Sequence, residues 1–200
     1  IGLAPVSERL ESWRGLTPTS RGHAFTHDLL RAAVDEGIDD EARRELHARA
    51  AAVIAEVDPS NIRARAYHLD RAGLGVEAVE LYRQAAASYV RDFAVPDAIA
   101  MWSRALELLP AIQASDRLAV ALDVSSAREM MSDYAGPRAV VDEALALAEQ
   151  LGDEPARLRA MLLAGGAAAR TGEADRAETI LRAAIELAER ISGDTAVGHS

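Results

Sequence analysis

The stretch Asp92-Phe93-Ala94-Val95-Pro96-Asp97-Ala98-Ile99 is matched 41 residues later by Asp133-Tyr134-Ala135-Gly136-Pro137-Arg138-Ala139-Val140. Each copy pairs an acidic and an aromatic residue with a proline just before an apolar run. That is the signature of a helix end, a tight connection and a new helix that begins on proline. A connection of this kind occurring twice points to a repeated structural unit.

Working outward, the spacing of alanines extends the pattern. Ala78/Ala85, Ala98/Ala105, Ala139/Ala146 and Ala177/Ala184 are pairs seven residues apart. Twelve residues before each pair stands a small residue: Ala66, Ala86, Ala127 and Gly165. A small side chain lets two helix backbones cross closely, and an alanine two turns along the next helix keeps that face open. These positions, with Tyr82 and Trp102 between two of the pairs, are expected to carry the packing. A second match, Arg117-Leu118 and Leu122 against Arg157-Leu158 and Leu162, runs at 40 residues. Helical patterns are predicted at about 40–56, 61–72, 76–91, 95–109, 115–132, 136–151, 155–171 and 174–191, joined by short Gly-, Pro- or Asp-bearing connections. The expected class is all-α, a right-handed α–α superhelix of stacked hairpins.

Composition agrees and narrows function. Half of the 200 residues are apolar, but only 4% are aromatic. Alanine and leucine dominate, which favours close-packed helices over a sheet. There is no cysteine and no lysine: all 22 basic residues are arginine. Disulfides, thiolate metal sites, cysteine nucleophiles, Schiff bases and a lysine-bearing phosphate loop are thereby excluded from this chain. The formal charge is −10, with 10 arginines against 12 carboxylates in residues 1–75 and 12 against 20 in residues 76–200. Such a balance argues against phosphate-backbone binding. No apolar run is long enough to span a membrane, and a cytoplasmic location is expected. The chain begins on Ile1 without a leader pattern and stops at Ser200 soon after a helix, so both ends read as edges of a longer protein.

Gly73–Ala85 and Phe93–Leu108 resemble the second half of a tetratricopeptide repeat (TPR), through Ala78, Tyr82, Ala85 and Ala98, Trp102, Ala105. Glu143 and Leu181 take the aromatic position in later units, so these repeats depart from the pattern. Phe25-Thr26-His27-Asp28-Leu29-Leu30-Arg31 resembles the F-x-H-x-L-x-R segment that follows the ATPase module of bacterial STAND-type signal-transduction ATPases, among them LuxR-type activators and cyclase-linked ATPases. Arg44–Ala51 and Ala66–Gly73 continue it. The resemblance implies a winged-helix-like remnant over 1–36, with a small β-hairpin from Leu16–Ser20 and Gly22–Phe25, then TPR-like repeats over 37–200. It implies a binding and sensing module and not an enzyme, without a cofactor. Its partners would be a protein, peptide or small-molecule effector and other domains of the parent. An independent scaffold is the alternative, and a helical enzyme a more distant one.

Each chemical candidate has a plainer reading. His23 and His27 are four apart, yet a strand-like stretch separates them and no third ligand follows; His27 reads as a cap. His47 and His68 lie in apolar helix stripes and read as core histidines. Asp39-Asp40-Glu41 and Asp153-Glu154 sit at helix starts, where carboxylates cap and complement the dipole. Gly165-Gly166 reads as helix packing. Arg9, Arg14 and Arg21 are offset by nearby carboxylates as DNA contacts. The remaining constellation is a groove. If the first helix of each hairpin lines the inner curve, Arg63, Tyr67, Asp70, Arg83, Arg128 and Met131 face it, and the arginine forks are suited to a carboxylate or amide ligand.

Overall fold

The computed structural model describes residues 16–19, 22–25, 36–111, 113–134, 136 and 138–197. Strands β1 (Leu16–Thr19) and β2 (Gly22–Phe25) pair antiparallel, Leu16 opposite Phe25 and Thr19 opposite Gly22. Eight helices follow among the described residues: α1 (Asp40–Val57), α2 (Ile62–Arg71), α3 (Gly75–Arg91), α4 (Val95–Leu108), α5 (Ala114–Met130), α6 (Arg138–Leu151), α7 (Glu154–Arg170) and α8 (Ala174–Val197). The chain divides into two compact units, Ile1–Leu46 and His47–Ser200. The rest of the winged-helix reading, His27 and Arg9, Arg14 and Arg21 included, lies outside the described residues.

Capping fixes several helix starts. Asp39 accepts from the Ala42 N–H at 2.8 Å, Asn61 from Ala64 at 3.4 Å and Asp153 from Ala156 at 2.9 Å. Each bond satisfies a donor that the first turn leaves without an intrahelical partner. The acidic clusters at Asp39 and Asp153 thus have a structural role. Pro96 and Pro155 occupy first-turn positions of α4 and α7, where a missing N–H costs nothing.

In the second unit, consecutive helices from α2 to α8 pack on one another, and α5 also meets α7. The core is alanine-rich: Ala66, Ala78, Ala98, Ala105, Val120, Ala121, Val124, Ala144, Ala148 and Ala160 are fully covered. Tyr82, Ala85, Ala86, Ala127, Gly165, Ala177 and Ala184 are buried too, and Trp102 is partly so. Gly165 shows why small residues are needed. A Cβ there would lie 2.6 Å from Leu181 Cδ2, inside contact distance.

One hairpin departs from the expected register. Helices α2, α3, α5, α6 and α7 are each followed by a residue at positive φ: Gly73, Phe93, Ser132, Gly152 and Gly172. The next helix starts two residues later at four of these ends, but six residues later after Ser132. Phe93 therefore corresponds to Ser132, not to Tyr134 as the string match has it. The fourth residues of α3, α4, α6 and α8 are Ala78, Ala98, Val141 and Ala177, all buried. Ala139 and Ala146 are exposed. Their packing places belong to Val141 and Ala148, with Leu145 in the aromatic slot. Glu143, expected in that slot, instead accepts from Arg117. Counted back from Ser132, as Gly165 is from Gly172, the counterpart of Gly165 in α5 is Ser125, although Ala127 is buried as well. This agrees with the 40-residue match.

Candidate functional site

Alternate helices of the second unit form two sets that are held together differently. In the set α2, α4, α6 and α8, the ion pairs that join one helix to the next of the set are tight, although the local pairs Arg138–Asp142 and Arg176–Glu173 are longer, at 3.7 and 3.4 Å. Arg104 donates through Nε (2.7 Å) and Nη2 (2.8 Å) to both oxygens of Asp70, a bidentate geometry between α4 and α2. Tyr82 of α3 adds a third bond to Asp70 at 3.1 Å. These bonds hold the Asp70 carboxyl below the usual carboxylate range, the Arg104 fork being the main cause. Burial, helped by the Asp70 charge, pushes the Tyr82 phenol up to about 12. Between α8 and α6, Arg176 reaches Asp142 at 2.7 Å, and Arg138 holds Glu173 at 2.8 and 3.0 Å.

In the set α3, α5 and α7 the pairs are loose. Arg83 stands 3.4 Å from Glu80, Arg159 3.6 Å from Asp123, and Arg170 3.6 Å from Glu129. Two clefts open here. One, of about 230 Å³, is lined by Glu80, Arg83, Gln84 and Ala87 of α3, Trp102 of α4 and Asp123 of α5. The other, of about 370 Å³, lies between α5 and α7 and is lined by Ser126, Glu129, Pro155, Leu158, Arg159, Leu162 and Leu163. Asp123 connects them, since it lines the first and pairs with Arg159 of the second. Arg159 Nη2 also donates to Ser126 Oγ at 2.8 Å. Burial raises the Asp123 carboxyl above its ordinary value, against the pull of Arg159 and Arg83. The result is a partly apolar face carrying guanidinium and carboxylate groups whose mutual ion pairs are long.

The six residues expected to share a groove are dispersed. Arg83 lines the α3–α5 cleft. Arg63 donates to the Tyr89 hydroxyl at 2.7 Å. Asp70 is occupied by Arg104 and Tyr82. Tyr67 meets His47 and His68 edge-on, at centroid distances of 5.9 and 5.4 Å, with Arg71 over its ring. Met131 is half-exposed at the end of α5. Arg128 pairs with Asp133 at 3.2 Å and lines another cavity, of about 60 Å³, with Gly136, Val141 and Ala164; this cavity shares Glu129 and Leu163 with the α5–α7 cleft. Its Nε is buried without an acceptor. The backbone passes so close that a Cβ on Gly136 would fall 2.1 Å from Arg128 Nη1. The displacement has a simple cause. By helix-end register, the places read as Arg128 and Met131 belong to Ser126 and Glu129, and α2 joins α4 through the Asp70 pair instead of joining the α3, α5, α7 set.

Asp123 and Arg159 carried no signal in isolation. The 40-residue match was the available clue, because it aligns α5 with α7 correctly. His47 and His68 are not covered core residues: both are partly exposed, and their Nδ1 atoms are hydrogen-bonded at 2.8 Å. Burial, then the nearby His47, lowers the tendency of His68 to protonate. Among the described residues no group of three or more His, Asp or Glu gathers around a common point, and no helix is long and apolar enough to cross a membrane.

No family model matches the chain, and no curated protein matches it. Solved structures do. BtubC (BKLC) of P. vanneervenii shares 16% identity over 83% of this chain and 80% of its own, with a TM-score of 0.51. A Podosopora anserina protein assigned as a kinesin light chain, with nearly identical TPR-like repeats, shares 18% identity over 82% of this chain and 94% of its own, at a TM-score of 0.45. A point-substituted form of that protein gives 18% over 95% and 99%, at 0.46. At such identities the likeness concerns the fold alone, and the fold is an all-α array of TPR-like repeats.

Proposed function

We propose that the face built by α3, α5 and α7 binds an extended segment of a protein partner, and that the chain works by binding and not by catalysis. The observation that carries this is the contrast in ion pairing. Carboxylate and guanidinium groups on this face stand 3.4–3.6 Å apart, wider than a good charge-assisted hydrogen bond. A peptide amide presents a carbonyl to the arginine and an N–H to the carboxylate, and so uses both. Apolar patches at Leu158, Leu162 and Trp102 receive side chains between these polar contacts. A repeat array supplies such an extended surface because each hairpin adds to its neighbour's.

The wider role we propose is that of a sensor in a multidomain STAND-type regulator, where partner binding shifts the parent between resting and active arrangements. The Phe25–Arg31 segment supports this reading. The rival is a free-standing scaffold, favoured by the resemblance to repeat proteins. A flanking coding sequence with no upstream phosphate loop would rule out the regulator and leave the binding face intact.

Binding itself is tested by selecting peptides from a displayed random library on the 200-residue chain. Asp123→Ala with Arg159→Ala is expected to weaken the selected peptides about tenfold or more, about 1.4 kcal/mol, while Arg63→Ala leaves them unchanged. Equal binding by the double variant would refute the assignment of this face.

A further inference from the structure

The geometry points to a binding site for a divalent transition metal, Cu²⁺ or Ni²⁺, held by His47 of α1 and His68 of α2. Their Nδ1 atoms face each other at 2.8 Å, with ring centroids 5.0 Å apart and planes tilted by 41°. Two imidazole nitrogens in adjacent positions of a square or octahedral centre, each about 2.05 Å from the metal, are about 2.9 Å apart. A tetrahedral zinc centre sets them about 3.3 Å apart. The observed separation fits the square or octahedral case, so the rings need only turn their lone pairs toward a common point.

The donor state is also suitable. In the hydrogen bond one imidazole carries its proton on Nδ1 and the other accepts. Moving that proton to Nε2 frees both Nδ1 lone pairs without changing the charge of either ring. Both rings are partly exposed, which leaves a path for the ion and room for water at its remaining positions. Water is needed there because no third protein donor gathers at this point among the described residues. Tyr67, edge-on to both rings, limits how far they can swing. The pair lies 21 residues apart in sequence, so an ion held here ties α1 to α2.

The test is a calorimetric titration of the untagged 200-residue chain with CuCl₂ or NiCl₂, alongside MgCl₂. One equivalent of Cu²⁺ or Ni²⁺ is expected to bind in the micromolar range, and Mg²⁺ not at all. His47→Gln and His68→Gln should each weaken binding about tenfold or more, while His23→Gln and His27→Gln leave it unchanged. Cu²⁺ electron paramagnetic resonance should show two coordinated nitrogens. Affinity weaker than about 1 mM, or equal binding by the His47→Gln/His68→Gln double variant, overturns the site. Because a glutamine variant that loses helicity by circular dichroism decides nothing alone, His47→Cys supplies the second reading. It keeps a metal donor, so a thiolate-to-copper charge-transfer band supports the site and its absence in the folded variant overturns it.

Discussion

The α2, α4, α6, α8 set and the α3, α5, α7 set are built from the same residues, alanine, leucine, arginine and acids, yet they use charge in opposite ways. On the first, guanidinium and carboxylate close to 2.7–2.8 Å and lock alternate helices. On the second they stop at 3.4–3.6 Å beside open clefts. The difference shows that counting ion pairs says little about what they do. A bidentate pair such as Arg104 on the mostly covered Asp70 is part of the scaffold, whereas a loose pair contributes little to stability and stays available to a ligand.

The hardest break is Arg104→Ala. It strands the Asp70 side chain, which is only 10% exposed, without its two strongest donors, and should cost about 3 kcal/mol in urea denaturation. Next comes a pair of adjacent glycines, which contrasts the covered and the open side of α7. Gly165→Ala forces a methyl against Leu181 and should cost about 1–2 kcal/mol. Gly166→Ala, whose new carbon meets nothing closer than 3.4 Å, should stabilise α7 by about 0.5–1 kcal/mol. Equal effects at the two would erase the distinction between packed core and open face.

Titration separates the two key carboxylates by sign. Asp70 is held below the ordinary 3.8 and Asp123 above it. On acidification Asp123 should therefore take up its proton first, and this adds stability to the folded state as pH falls through its raised value. Asp70 follows, and the stability it provides above 3.8 disappears as pH drops through its depressed value. Carboxyl-carbon NMR shifts against pH check the order; simultaneous titration contradicts it. The smallest effect belongs to Arg159→Ala, expected to move stability by no more than about 0.5 kcal/mol in the same urea experiment.

Much of the fold was legible because short connections keep helix phase and sequence phase together. Ala66, Ala78, Ala86, Ala98, Gly165 and Ala177 could be read directly for that reason. The α5–α6 hairpin escaped because its connection runs for seven residues, 131–137. There an acidic–aromatic–Ala–x–Pro string imitates the earlier joint two residues out of step. Ala139 and Ala146 added to the illusion, since alanine is as good a helix former on the surface as in a core. The binding face was less legible still. Asp70 looks like any groove carboxylate until Arg104, 34 residues away, is placed on it. Likewise, nothing local in the sequence joins Asp123 to Arg159 or His47 to His68.

The long α5–α6 joint has an evolutionary consequence. The backbone reverses at Ser132 as it does at the shorter joints, and α6 still docks in phase on its fourth residue. Extra length is absorbed between those two points and does not propagate into the stack. Segments of other lengths can be exchanged here, reshaping the small cavity beside Arg128, while neighbouring hairpins keep their seating. Diversity among relatives of this chain should therefore concentrate at this reversal.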